Sequence, residues 1–304
     1  MCPKDNRGQS RNKNQMRMLD MHAHLPSPAQ EDGAKETEIQ RAAVKSEALR
    51  EMKFRLEHGI STCFSCGTPG EWKFCMQTSS ELTAQRPDEQ KRGIYLSFAV
   101  HPWYSDRFCP EDYMDCFQAC DVVGEAGMDS VWCGVPLDVQ KSVFERQLRI
   151  AADLKKPVIL HTKGMEAQIA DMVRDFPGKI CVHWYSGDIR TFEKFLELGC
   201  WFTLGPDLSR ICRNAENGSE RVGDSDRASE KLYRYMIENI PAQKLFVETD
   251  GLSAVAWAYD VSRFELENLP GILQNNLKFV SDVKGIPAEM MQQMVFENLE
   301  SFLS

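Results

Sequence analysis

The sequence predicts an α/β protein folded as a (β/α)8 (TIM) barrel, and three observations predict it. Short β-type runs alternate with longer helical patterns, as βα units around a parallel sheet require. The length, 304 residues, suits one such barrel. Five of the six histidines stand at the ends of predicted strands, and a barrel gathers those ends at one mouth.

The elements follow in order. Met16 to Ala23 reads as the first strand, and a helix covers roughly Ala34 to His58, stopped by Gly59. Ile60 to Ser65 is the second strand and Glu71 to Gln85 the next helix. Ile94 to Val100 is the third strand and Cys120 to Gly124 the fourth. Val139 to Leu154 reads as a helix, with Val143, Leu148 and Ala151 apolar. Pro157 to Leu160 and Lys179 to Val182 are the fifth and sixth strands. Phe192 to Leu198 is helical, Trp201 to Leu204 is a strand, and Leu245 to Glu248 is the last clear one. Leu266 to Leu303 is helical, broken at Gly285 to Pro287. Residues 1–17 read as a flexible polar leader and 18–304 as a single domain. Arg210 to Ser229 is so poor in apolar residues that it predicts a loop insertion, either a lid or a solvated excursion.

Composition narrows the function classes. The chain is 42% hydrophobic, and no apolar run approaches the length of a membrane span, so no membrane association is expected. No secretory signal is visible, and eleven cysteines without one suggest reduced thiols and a cytoplasmic protein. Cys63 and Cys66 form a lone C-x-x-C with no second ligand pair, and on a strand they would face opposite ways. A net charge of −9 argues against broad non-specific binding of nucleic acid, but metal ions in a site can supply local positive charge. No protein partner is predicted.

The candidate chemistry lies in the histidines and two acids. His22 and His24 close the first strand, His101 the third, His161 the fifth and His183 the sixth. Glu125 follows the fourth strand and Asp250 the last. His22 and His24 are two apart, so their side chains face the same way, as two ligands of one metal must. Imidazole suits zinc and related ions, and a carboxylate can bridge two of them. A single histidine at a strand end is commonly a polar cap; the ordered set is what carries weight.

Those residues sit in a recognisable series of segments. It comprises Leu19-Asp20-Met21-His22-Ala23-His24-Leu25, Ala99-Val100-His101-Pro102 and Gly124-Glu125-Ala126-Gly127-Met128-Asp129. It continues with Pro157-Val158-Ile159-Leu160-His161-Thr162-Lys163, Val182-His183-Trp184-Tyr185-Ser186-Gly187 and Val247-Glu248-Thr249-Asp250. Gln140, Gln147 and Glu297-Asn298-Leu299 fit the same pattern. From about Met18 onward the chain resembles the TatD-type metal-dependent hydrolases, a deoxyribonuclease family among the amidohydrolase-like barrels. The resemblance implies that His22, His24 and Asp250 hold one divalent metal and that His161 and His183 hold a second. Glu125 would bridge the two. Zinc is favoured, with magnesium, manganese, nickel or iron compatible.

The resemblance further implies phosphodiester cleavage in DNA by a two-metal activated water, with Glu125 and Asp250 catalytic and Asp250 a candidate general base. His101, Lys163 and Trp184 would contact the substrate, and Asp20 and Glu248 would orient ligands. Lys163 stands where the family often has arginine, and so lacks the bidentate grip on phosphate. Trp184-Tyr185 replaces the usual Cys-Phe; these rings, with Trp257, would either stack on a base or pack inside. Gly251 to Trp257 departs from the family's Ala-Pro segment, which leaves open a small-molecule amide, lactone or phosphoester as substrate. A metal-stabilised scaffold without activity is the third reading, disfavoured by the intact ligand set.

Overall fold

A computed structural model describes residues 17–28, 37–84, 93–216 and 224–304. Eight strands pair in sequence order, each parallel to the next. They are β1 (Met18–Ala23), β2 (Ile60–Cys66), β3 (Ile94–Phe98), β4 (Val122–Gly127), β5 (Val158–His161), β6 (Ile180–Val182), β7 (Trp201–Leu204) and β8 (Leu245–Val247). Both faces of β1, β2 and β4 are buried, which is why these strands read as apolar runs without strict alternation. The chain forms the (β/α)8 barrel expected, with helices between the strands.

Those helices are α1 (Glu38–Glu57), α2 (Pro69–Thr83), α3 (Met114–Ala119), α4 (Leu137–Leu154), α5 (Glu166–Met172), α6 (Ile189–Glu197), α7 (Leu208–Glu216), α8 (Asp224–Asn239), α9 (Leu252–Ala258), α10 (Leu269–Lys284) and α11 (Ala288–Leu303). Thr37 caps α1 reciprocally with Gln40, and Gly59, at φ 71°, follows its C-terminus. No helix among the described residues is long and apolar enough to cross a membrane.

Several boundaries differ from expectation. Strand β4 runs to Gly127, so Glu125 lies within it rather than after it. Strand β3 stops at Phe98, which leaves His101 in the following loop, at the start of a 3-10 turn. The segment Arg210 to Ser229 is not a loop throughout. Its ends belong to α7 and α8, and 217–223 lie outside the described residues. Few apolar residues suffice there because they share one face: Leu208, Ile211 and Cys212 in α7, and Tyr233, Met236 and Ile237 in α8, are all buried. The leader expected at 1–17 lies outside the described residues, Arg17 excepted.

The ring closes between β8 and β1 by side-chain and loop contacts. The Asp250 amide donates to the His22 carbonyl at 2.9 Å. Asp20 accepts from the Thr249 amide at 2.9 Å and from its hydroxyl at 2.5 Å, and is itself gripped by buried Arg55 at 2.6 Å. Gly251 takes φ 89°, and a Cβ there would stand 2.6 Å from the His24 carbonyl oxygen, so only glycine lets this loop lie on the end of β1.

Candidate active site

The strand ends bring His22, His24, Glu125, His161, His183 and Asp250 into one cluster. The two oxygens of Glu125 face different partners. Oε2 lies 2.8 Å from His24 Nε2 and 3.3 Å from His22 Nε2. Oε1 lies 3.0 Å from His161 Nδ1 and 3.2 Å from His183 Nε2. Asp250 Oδ1 stands on the first side, 3.5 Å from both His22 and His24 Nε2. His101 Nε2 approaches the second side, 3.9 Å from Glu125 Oε1.

Two of the ligand candidates, His183 and His161, are held from behind. His183 Nδ1 meets the Glu248 carboxylate at 3.0 and 3.1 Å, which leaves Nε2 facing Glu125. His161 Nε2 meets Asp129 Oδ2 at 3.1 Å, which turns its Nδ1 inward. Asp129 Oδ2 also accepts from Trp103 Nε1 at 2.7 Å, and Oδ1 from the Val131 and Trp132 amides, each at 2.8 Å. The buried amides of α4 fix the loops. Gln140 bonds the Asp129 amide and carbonyl, and Gln147 does the same to Val100.

The electrostatics are those of carboxylates and imidazoles crowded out of water. Burial alone would raise the Glu125 carboxyl, but the attraction of His183 and His22, with hydrogen bonds from His161 and His22, holds it well below the usual carboxylate range. Asp250 is likewise opposed by burial yet held down, chiefly by the His22 imidazole, whose Nε2 lies 3.5 Å from Oδ1. Burial works against protonation of His161, but its bonds to Asp129 and Glu125 carry it to about 9. For His101 the attraction of Glu125 is too weak to offset burial, which pushes it down to about 3.

The donor set fits divalent metal ions. His22 Nδ1 and Asp250 Oδ1 are buried with no hydrogen-bond partner. Three overlapping groups each hold ligand atoms within 4.8 Å of one another: His22 with His183 and Asp250, His22 with His24 and Glu125, and His101 with Glu125 and His161. The charge that protonated imidazoles must balance here is the charge that bound cations would balance instead.

A family model described as TatD related DNase matches residues 19–304. The chain belongs to this TatD family. It is a metal-dependent hydrolase. Among its relatives is an uncharacterized metal-dependent hydrolase, YcfH of Escherichia coli, 24% identical over 74% of this chain and 81% of that one. A 3'-5' ssDNA/RNA exonuclease, TatD of a Rahnella species, is 26% identical over 58% of this chain and 62% of its own length. The crystal structure of the E. coli TatD homologue YjjV shares the fold at a TM-score of 0.64, with 18% identity, covering 95% of this chain and 98% of that one.

The cluster opens into a cavity of about 610 Å³ lined by His101, Lys163, Trp184 and Trp257 as well as by the ligand candidates other than His22. Lys163 Nζ bonds Ser186 at 3.0 Å. Tyr185 is not part of this wall. It is buried against Phe192 and Phe195, and its hydroxyl donates to the Asp188 carbonyl at 2.6 Å. Cys63 and Cys66 are both buried free thiols. Asp20 is tied to the site through Thr249. Asp129, Trp103 and Trp132 carry site contacts that sequence reasoning did not assign. Asp129 stands inside the family's motif, but its role depends on how the chain turns after β4.

Proposed function

We propose that this TatD-family hydrolase is a cytoplasmic nuclease that removes nucleotides from the 3′ ends of DNA or RNA strands. The observation that carries it is Glu125, whose two oxygens each face a separate pair of imidazoles on the floor of a cavity that also presents a lysine. That division supports two divalent ions, zinc favoured. His22, His24 and Asp250 would hold one ion, His161 and His183 the other, and Glu125 both. Ions so held would supply Lewis acidity toward the phosphate and an activated water. The names of the Rahnella exonuclease and of a human relative called a 3'-5' RNA nuclease support the substrate class; the human protein is 24% identical over 69% of this chain but only 27% of its own length. The free thiols among the described residues fit a reducing compartment.

The remaining work falls to the chain's own groups. Asp250 Oδ1, ionised and free of hydrogen bonds, is placed to take the proton from the attacking water. Glu248 and Asp129 keep His183 and His161 in the tautomers that face Glu125. His101, held neutral, is a hydrogen-bonding contact for a phosphate oxygen or the leaving group. Lys163, which lines the same cavity, gives the phosphate a point charge.

The test is cleavage of a short single-stranded DNA and RNA, with metals quantified, before and after chelation. Roughly two ions per chain are expected, with activity lost on chelation and restored by added metal. His161→Ala and Glu125→Gln should each lose more than about hundredfold, beyond the range of orienting groups. Two bound ions with both polymers left intact would sink the nuclease reading while leaving the metal assignment standing.

A further inference from the structure

We propose that Trp132, Trp257 and Trp184 form a stacking wall that takes the unpaired terminal base of the substrate and favours a purine, while Lys163 takes the adjoining phosphate. This rests on the nuclease reading above and names the specificity element of the same site. The three rings come from separate parts of the chain: the loop after β4, helix α9 after β8, and the loop after β6. Trp257 stands nearly perpendicular to both neighbours, at 77° and 6.0 Å from Trp132 and at 75° and 5.9 Å from Trp184. All three line the cavity that holds the metal-ligand candidates.

The two outer rings are unusually exposed, Trp257 at 66% and Trp132 at 53%. Indoles left in water at a cavity mouth are a cost that a flat apolar ligand would remove. The inner ring is fixed. Trp184 adopts φ 35°, its amide donates to Thr203 Oγ1 at 3.1 Å, and its Nε1 donates to the Tyr233 hydroxyl at 3.1 Å. Tyr233 in turn donates to Asp207. A Cβ on Gly205 would fall 2.2 Å from the indole Nε1, so the ring lies directly on that glycine. A rigid inner ring and two exposed outer ones make a corner in which a planar ligand stacks on one face and meets another edge-on.

Lys163 decides the charge of that ligand. Its ammonium already sits 4.6 Å from the Trp132 ring centroid, so the aromatic corner repels a second cation and attracts a planar group carrying an anion beside it. A base with its phosphate has that form. A base inside a duplex has both faces covered by its neighbours, so only an unpaired end can enter. Because stacking grows with ring area, a purine gains more than a pyrimidine.

The experiment uses the full-length enzyme and single-stranded DNA ending in dA, dC or an abasic residue. The variants are Trp132→Ala, Trp257→Ala and the corresponding Phe variants. Wild type should favour the dA end by a few-fold. Each Ala variant should raise KM on base-bearing ends about tenfold, with kcat nearly unchanged, and Phe should restore most of the loss. On the abasic end, wild type and variants should agree. Unchanged KM in the Ala variants, or an equal loss on the abasic end, overturns the proposal. A second readout needs no cleavage: AMP should quench the tryptophan fluorescence of Glu125→Gln protein more strongly than CMP does, and Trp257→Ala should abolish this. Quenching without cleavage of any nucleic acid removes the nuclease reading and keeps the wall. Cleavage with no quenching by AMP removes the wall alone, as does stronger quenching by tetramethylammonium.

Discussion

Asp129 accepts four hydrogen bonds, two from side chains at one oxygen and two from backbone amides at the other. The amides belong to the turn that carries Trp132, and the side chains belong to a metal-ligand candidate and a wall of the cavity. One buried carboxylate therefore sets both the tautomer of His161 and the path of the substrate loop. Asp129→Asn replaces one acceptor with an NH2 group, which must face either the turn amides or the His161 and Trp103 donors. Roughly ten- to hundredfold weaker metal affinity or activity is expected, read by calorimetric titration of the metal-free protein. Unchanged affinity would mean that Asp129 serves the turn alone. At this scale the ligand candidates were legible, because a histidine or acid at a strand end is placed by the strand itself. Asp129 was visible but mute, since its partner His161 lies on the next strand and its turn was not foreseeable.

The same limit governs the elements. Strands showed themselves by their apolar runs, and α1 by its length and its terminal Gly59. Most of α7 and the start of α8 read as loop because each helix shows only a narrow apolar face among many polar residues. What holds such elements in place is side-chain amides bonded to backbone. Asn276 of α10 accepts from the Ser209 amide and donates to the Gly205 carbonyl, which seats α7 beneath Trp184. Asn298 of α11 donates to the Ala242 and Leu245 carbonyls at the start of β8. Gln147 of α4 pairs with both backbone groups of Val100, one residue before His101. Gln147→Leu keeps the volume but strands a buried N–H and C=O. A loss of about 2–5 kcal/mol in urea unfolding is expected, at the desolvation cost of two unpaired groups. A loss below about 0.5 kcal/mol, the level of a neutral surface change, would show that water replaces the amide.

Across the whole molecule, the barrel's seam and its candidate site coincide. Strands β1 to β8 are joined in order by parallel ladders, whereas β8 meets β1 through Asp20, Thr249 and the Asp250 amide. His22 and His24 lie on one side of that seam and Asp250 on the other. An ion shared by them would therefore bind the closed ring far better than the unfolded chain, and would stabilise it by mass action. Free metal at about a hundred times its dissociation constant contributes about 2.7 kcal/mol. For a chain of 304 residues that is a rise of roughly 4 °C in melting temperature. Chelation should lower the midpoint by that amount and metal should restore it in proportion to the logarithm of its concentration. His24→Ala, which removes a seam ligand without touching the Asp20 bonds, should reduce the rise. Measured midpoints that ignore metal while calorimetry still shows binding would mean that the unfolded chain holds the ions as well as the folded one, which a site built across the seam cannot allow. The assignment of His22, His24 and Asp250 to one ion would then fall, even with catalysis intact.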